Sequence, residues 1–334
     1  MSIKVLQPGL LTSMQDLGRY GYQKHGVIVS GAMDTYSLRI ANILVGNQEG
    51  EGALEIALLG PSLEIEKDSL LAITGGNLSP TINGKVVPMW RPVYVKAGSI
   101  LQFGACKSGC RSYLAIAGGY DLLEVMGSKS TYLRAGIGGF QGRALQRGDV
   151  LAVKSPHGAS LDRTEYFKRK YSPESFVSSS WYAGRPPIPQ ALRLTTIRMT
   201  RGLQFEYFTA ESKSQLLNAS FQVAAQSDRM GYRLSGVNLQ LESPLEMISE
   251  AVALGTVQVP PDGNPIILLA DRQTVGGYPK IGQVAIVDVP ILAQVRPGAT
   301  IQFQEITLEE AERLYIAREN DIQELKTAIQ LKFL

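Results

Sequence analysis

Residues 255–280 read GTVQVPPDGNPIILLADRQTVGGYPK. The apolar run Ile266 to Ala270 is entered through the turn Pro261-Asp262-Gly263-Asn264 and empties into Asp271-Arg272-Gln273-Thr274, followed by a Gly-Gly turn. A short apolar run bounded by turn residues is the signature of a buried strand rather than a helix. The same phrase recurs outward along the chain, at Leu70 to Thr74, Tyr113 to Ala117 and Val150 to Val153. Ile82-Asn83-Gly84-Lys85 supplies a hairpin turn of residues that tolerate positive φ. The class is therefore mainly β.

A chain of 334 residues exceeds one ordinary domain and predicts two. Hydrophobic residues at 44% and charged ones at 19% suffice for a packed core. The formal charge of +3, with no Lys/Arg block, argues against nucleic acid as partner. The opening MSIKVLQPGLL lacks an apolar h-region, and no apolar run reaches a membrane-spanning length. Cys106 and Cys110 suit a reducing compartment, so a cytoplasmic protein with no membrane partner is expected.

Two helices are predicted. One starts at Asp34 as N-cap, with Met33 and Leu38 as a hydrophobic staple and Gly46 as its stop. The other runs from Thr307 to about Lys332, where Thr307 and Glu310 match a capping box. Leu308, Ala311, Tyr315, Ile322, Leu325 and Ile329 give it a discontinuous apolar stripe, as of a tail packed on the body or a partner.

The chain also echoes itself. Ile3 to Leu10 is answered by Ile197 to Leu203, and Arg19-Tyr20-Gly21-Tyr22 by Arg229-Met230-Gly231-Tyr232, with Asp16 and Asp228 just upstream. Gly148 to Val153, Gly298 to Phe303 and Gly98 to Phe103 share a Gly-x-x-aliphatic strand phrase. The common order points to duplication of one domain. The expected division is a first domain at 1–155, a polar, Pro-rich linker at 156–190, a second domain at 191–305 and a C-terminal helix at 306–334.

There is no Gly-x4-Gly-Lys-Ser/Thr loop, no Gly-x-Ser-x-Gly elbow and no His-rich cluster, and no metal site is expected. Cys106 and Cys110 are spaced by three residues with no second ligand pair, which suits thiols in a turn better than a metal or redox site. Two segments interleave charge with glycine more than a connection needs. Gln15 to Gly26, continuing to Asp34, includes Asp16 and Arg19 and runs into a helix N-terminus, where backbone N–H groups favour an anion or a polarised carbonyl. The alternative is a well-capped loop in which Asp16 and Arg19 pair and Asp34 only caps. In the second segment Asp271 can act as a base or orient one, Gln273 can bind an amide and Lys280 can hold a phosphate or carboxylate. Its alternative is an Asp-Arg ion pair beside a tight turn.

These segments, with Cys110 to Gly119 and Met126 to Thr131 between them, resemble the biotin-dependent carboxyltransferase-like family, also described as allophanate hydrolase subunit 2-like. The run Asp271 to Pro279 is the most specific part of the likeness, which spans about residues 1–305. The resemblance implies tandem cyclophilin-like β-barrel domains with few helices. It implies one component of an ATP-dependent 5-oxoprolinase, which opens 5-oxo-L-proline to L-glutamate together with a KipI-like B subunit and a LamB/YcsF-type A subunit. ATP, with Mg, would then be used at a site shared with those partners. Under this reading Asp271, Gln273 and Asp34 are the candidate catalytic residues. Asp16, Arg19, Asp228, Arg229, Gly276, Gly277, Tyr278 and Lys280 are the candidates for binding substrate or phosphate. Two other roles follow from the same resemblance. One is a regulatory protein that sequesters a KipI-like inhibitor of a sporulation histidine kinase. The other is the carboxyltransferase part of a urea carboxylase-like enzyme, although this sequence has no Met-Lys-Met motif and carries no covalent biotin of its own.

Overall fold

The computed structural model describes residues 2–170, 176–184, 188–189 and 194–333. The chain folds as two compact units. One gathers Met1–Arg19, Ser30–Ile188 and Asp321–Leu334, the other Tyr20–Val29 and Pro189–Asn320. The stretch Tyr20–Val29, which sequence places inside the first domain, thus clusters with the second unit.

In the first unit two six-stranded sheets enclose the core. One runs in the order Val150–Ala152, Ser2–Gln7, Ser62–Ile65, Ser99–Gln102, Thr81–Ile82, Lys85–Val86. The other runs Phe176–Ser178, Pro92–Val95, Ser69–Asn77, Ser108–Ile116, Ala53–Ala57, Leu11–Gln15. Alternation assigns each side chain a face: Leu71 and Ile73 join Ile3, Val5, Leu63 and Leu101 in one cluster. Leu70 and Ala72 point the other way, with Tyr94 and Tyr113, onto a helix. The run Leu70 to Ile73 is apolar without a break because both faces of the strand are buried.

The helix is the predicted one, Thr35–Val45. Asp34 accepts a hydrogen bond from the Ser37 N–H at 2.8 Å, and Gly46 ends the helix at φ 81°. A Cβ on Gly46 would meet the Ala159 backbone at 2.7 Å, so both conformation and space require glycine. The stretch read as a linker holds more than a connection. It contains the helix Ala159–Arg169 and the strand Phe176–Ser178, which pairs antiparallel with Pro92–Val95. Arg185, Pro186 and Pro187 of that reading lie outside the described residues.

In the second unit seven strands close a barrel in the order Thr195–Arg201, Lys280–Val284, Thr256–Gln258, Ile266–Leu268, Gly231–Ser235, Ser220–Val223, Thr300–Glu305. Closure is parallel, pairing Thr195 with Ile301, whereas in the first unit Ser2–Gln7 meets Val150–Ala152 antiparallel. The Gly-x-x-aliphatic echo therefore marks a turn-and-strand phrase rather than equivalent strand pairings. The barrel interior holds Ile197, Met199, Phe221, Tyr232, Ile267 and Phe303, each at most 1% exposed.

The C-terminal helix spans Leu308–Leu331. The Thr307 hydroxyl accepts from the Glu310 N–H at 3.1 Å. Glu309 supplies the return contact to Thr307, and its carboxyl falls below the usual range through its own backbone N–H and the Thr307 hydroxyl. Ile322 and Ile329 are buried in the first unit's second cluster, while Leu308 and Tyr315 are exposed. No helix among the described residues is long and apolar enough to cross a membrane.

Candidate functional site

Asp16 follows the strand Leu11–Gln15 and anchors a neighbouring loop instead of Arg19. Its carboxylate accepts from the Gly18 N–H (2.8 Å), the Ser128 hydroxyl (2.8 Å), the Lys129 N–H (2.6 Å) and the Ser130 hydroxyl (2.5 Å). Arg19, fully buried, donates from Nε to the Val125 carbonyl and from Nη2 to the Ser130 carbonyl, both at 2.9 Å. Lys129 pairs with Glu51. Asp16 and Arg19 thus fasten one loop, Val125–Thr131, from two sides.

Asp34 is 1% exposed, and its carboxylate also accepts from the Ser37 hydroxyl at 2.6 Å. The Tyr113 hydroxyl accepts from the Asp34 N–H (2.8 Å) and donates to Glu55 (2.7 Å), which also accepts from the Met33 N–H (2.8 Å). Burial first, then the charges of Glu55 and Asp34, drive the Tyr113 phenol well above its ordinary range. A buried network with these partners orders the helix entrance and holds Asp34 in its cap.

The second segment builds a polar wall on the second unit. Asp271 is buried and receives a two-pronged contact from Arg229, Nε to Oδ2 at 2.9 Å and Nη2 to Oδ1 at 3.0 Å. Its N–H also donates to the Arg229 carbonyl at 2.8 Å. The echo of Arg19 is thus the ion-pair partner of Asp271, and both carboxylate oxygens are occupied by the fork. Asp228 accepts from the Met230 N–H at 2.8 Å and the Gly231 N–H at 3.3 Å, turning the chain so that Arg229 faces inward.

Lys280, also buried, pairs with Glu250 at 2.5 Å, and its N–H donates to the Gln204 side chain at 3.1 Å. Glu250–Ala251 and Val275–Gly276 form a short antiparallel ribbon in which Glu250 faces Gly276. A Cβ on Gly276 would lie 2.6 Å from Nε2 of buried Gln258, so the glycine lets that amide approach the backbone. Gln273 and Tyr278 are exposed and Gly277 is half-buried.

Arg272 completes the wall. Its Nε and Nη1 donate to the carbonyls of Val252 (3.4 Å) and Leu269 (3.3 Å). Among the described residues no carboxylate pairs with it. Burial pulls its guanidinium below its ordinary pKa, opposed by Tyr20 of the Tyr20–Val29 stretch. A partly desolvated cation fixed by carbonyls alone is suited to an incoming anion. Asp271 and Lys280, by contrast, each meet an opposite charge within the protein. Sequence reading missed Gln204 and Glu250, which lie outside the segment and carry no motif, and it gave no binding role to Gln258 or Arg272, both inside it.

No three His, Cys, Asp or Glu side chains among the described residues are placed to hold a metal ion. Cys106 and Cys110 are thiols; the Cys106 thiol donates to the Gly109 carbonyl at 2.7 Å, and Arg111 donates to Cys110 Sγ at 3.3 Å.

Residues 25–305 match the model of the carboxyltransferase domain, subdomain A and B. The chain is 40% identical to the C subunit of the 5-oxoprolinase of Haemophilus influenzae over 320 residues, 96% of each chain. It is 37% identical to the corresponding C subunit of Escherichia coli, over 92% of this chain and 93% of that one. The crystal structure of the Kluyveromyces lactis urea amidolyase superposes with a TM-score of 0.83 at 33% identity. That match takes in 97% of this chain but 20% of the amidolyase, so this chain spans about a fifth of that enzyme.

Proposed function

The chain belongs to the carboxyltransferase-domain family of subdomains A and B, and from that premise we propose that it is the C subunit of an ATP-dependent 5-oxoprolinase. The observation that carries this reading is the correspondence with two 5-oxoprolinase C subunits along nearly the whole length of both partners. The reaction is hydrolysis of the cyclic amide 5-oxo-L-proline to L-glutamate, performed with A and B subunits.

The lactam is a stable amide. Transfer of a phosphoryl group from ATP to its carbonyl oxygen turns that oxygen into a leaving group. Water then adds at the carbon and the C–N bond opens to leave an acyl phosphate, which a second water hydrolyses, so that the products are glutamate, ADP and phosphate. This requires a cation for the substrate carboxylate or the phosphate, and an amide or hydroxyl beside the ring. Arg272 supplies the cation, with Gln273 and Tyr278 as exposed polar groups on the same loop. Asp271 holds Arg229, and Lys280 holds Glu250, as the frame of that loop. With both oxygens of Asp271 engaged, the base for water is assigned to a partner subunit. A Mg²⁺ ion would enter with the nucleotide phosphates, which commonly supply its ligands beside one or two carboxylates.

The test mixes the chain with its A and B subunits and measures ATP-dependent glutamate release, omitting each subunit in turn. Activity should vanish without this chain. Arg272→Ala should lower kcat/KM by about tenfold or more, the worth of a charge-assisted contact, while the complex still forms. Full activity without the chain would leave the regulatory role, sequestration of the B subunit, as the better account. Carboxyl transfer from a biotin carrier added to the chain would favour the urea carboxylase-like reading, which the likeness to the amidolyase structure supports.

A further inference from the structure

A cavity lies wholly within the first unit. It has a volume of about 580 Å³, and its lining includes Val87, Pro88 and Met89 together with Arg91, Lys107 and Tyr182. That volume falls in the range of small-molecule sites. Among the described residues no Asp or Glu lines it.

Arg91 is held in place without being neutralised. Its Nη1 donates to the Ser179 carbonyl at 2.9 Å, and the guanidinium lies 5.4 Å from the centre of the Tyr182 ring. Its Nε is buried with no hydrogen-bond partner among the described residues. Lys107 is exposed, and among the described residues no carboxylate pairs with either cation. Trp90, beside Arg91, adopts left-handed backbone at φ 62°, which an aromatic residue rarely accepts. Two cations and the apolar stretch Val87–Met89 in one lining, with no acid among its described residues, suit an amphipathic anion.

We propose that this cavity binds an organic anion, a phosphate or carboxylate head on a flat apolar body. The head meets Arg91 and Lys107, and the body lies against Tyr182 and the Val87–Met89 stretch. The site is separate from the Arg272 wall, and its binding can be read on the chain alone, without any oxoprolinase activity.

The chain's two tryptophans, Trp90 lining the cavity and Trp181 next to Tyr182, make intrinsic fluorescence the readout. The full chain is titrated with AMP, phenylacetate, inorganic phosphate and adenosine, with calorimetry as a second measurement. Saturable binding of AMP identifies a phosphate head, and saturable binding of phenylacetate a carboxylate head. Adenosine and inorganic phosphate, each lacking one half of the ligand, should bind at least about tenfold more weakly. Arg91→Gln and Lys107→Glu should each weaken binding by about tenfold. Lys107 is exposed, so its variant tests the site even if Arg91→Gln disturbs folding. The proposal is overturned if neither AMP nor phenylacetate saturates, if adenosine binds as well as AMP, or if Lys107→Glu leaves affinity unchanged.

Discussion

Arg229 and Asp271 show what a single pair does in this protein. Both side chains are nearly excluded from water, at 7% and 8% exposure, so each charge depends on the other for what solvent would have supplied. Arg229→Ala should therefore destabilise the protein by about 3–5 kcal/mol, because it strands a buried carboxylate. Urea unfolding measures this, and a loss under about 1 kcal/mol would contradict the pairing. The double variant Arg229→Met/Asp271→Leu should recover most of the loss, since apolar residues of similar volume need no partner. Sequence marked both residues as special, but it offered Asp271 a chemical role or an arginine beside it. The actual partner lies 42 positions away and is brought in by the barrel pairing of Gly231–Ser235 with Ile266–Leu268. Spacing along a strand reports which face a residue takes; it does not report what meets it there. The same holds for Lys280 and Glu250, 30 positions apart.

At the scale of elements, what was legible followed the apolar pattern. The helix at Thr35–Val45 carries a cap and a stop in its own sequence, and both lie where the chemistry requires. The helix Ala159–Arg169 was not legible, for a physical reason. Its buried residues are Ser160, Arg163, Thr164 and Phe167, so the covered face is largely polar and has no hydrophobic period. Arg163 is drawn inward to the Ile43 carbonyl, and burial lowers its pKa to about 10. The C-terminal helix divides along its length. Ile322→Ala should cost about 2–5 kcal/mol by opening a cavity in a packed cluster, whereas Leu308→Ala at the exposed end should change stability by less than about 0.5 kcal/mol. Equal losses in thermal or urea unfolding would mean that the stripe is covered along its whole length.

At the scale of the molecule, charge sets how the fold meets acid. In the first unit Glu49, Asp68 and Asp149 sit below their ordinary range. For Glu49 and Asp68, burial pushes the pKa upward, but hydrogen bonds from Arg39 and Lys326 to the first, and from Lys96, the Ala97 N–H and Tyr94 to the second, outweigh it. For Asp149 the leading cause is the hydrogen bond from Arg143. A carboxyl whose pKa is depressed on folding stabilises the native state above its unfolded value, 4.5 for Glu and 3.8 for Asp. That contribution fades as the pH falls through the lower folded values. The first unit's stability should thus be insensitive to these groups from neutrality down to the ordinary carboxylate range and decline below it. In the second unit Glu206 and Glu309 are also depressed, by Lys213 and by backbone and Thr307 contacts respectively, but both are fully exposed and screened by salt. Near-ultraviolet circular dichroism of Trp90 and Trp181, both in the first unit, can follow an acid titration of that unit. Asp149→Asn should lower stability at neutral pH and flatten its decline in acid. A variant that unfolds with the same acid profile as the parent would show that the Arg143 contact does not couple that carboxyl to folding.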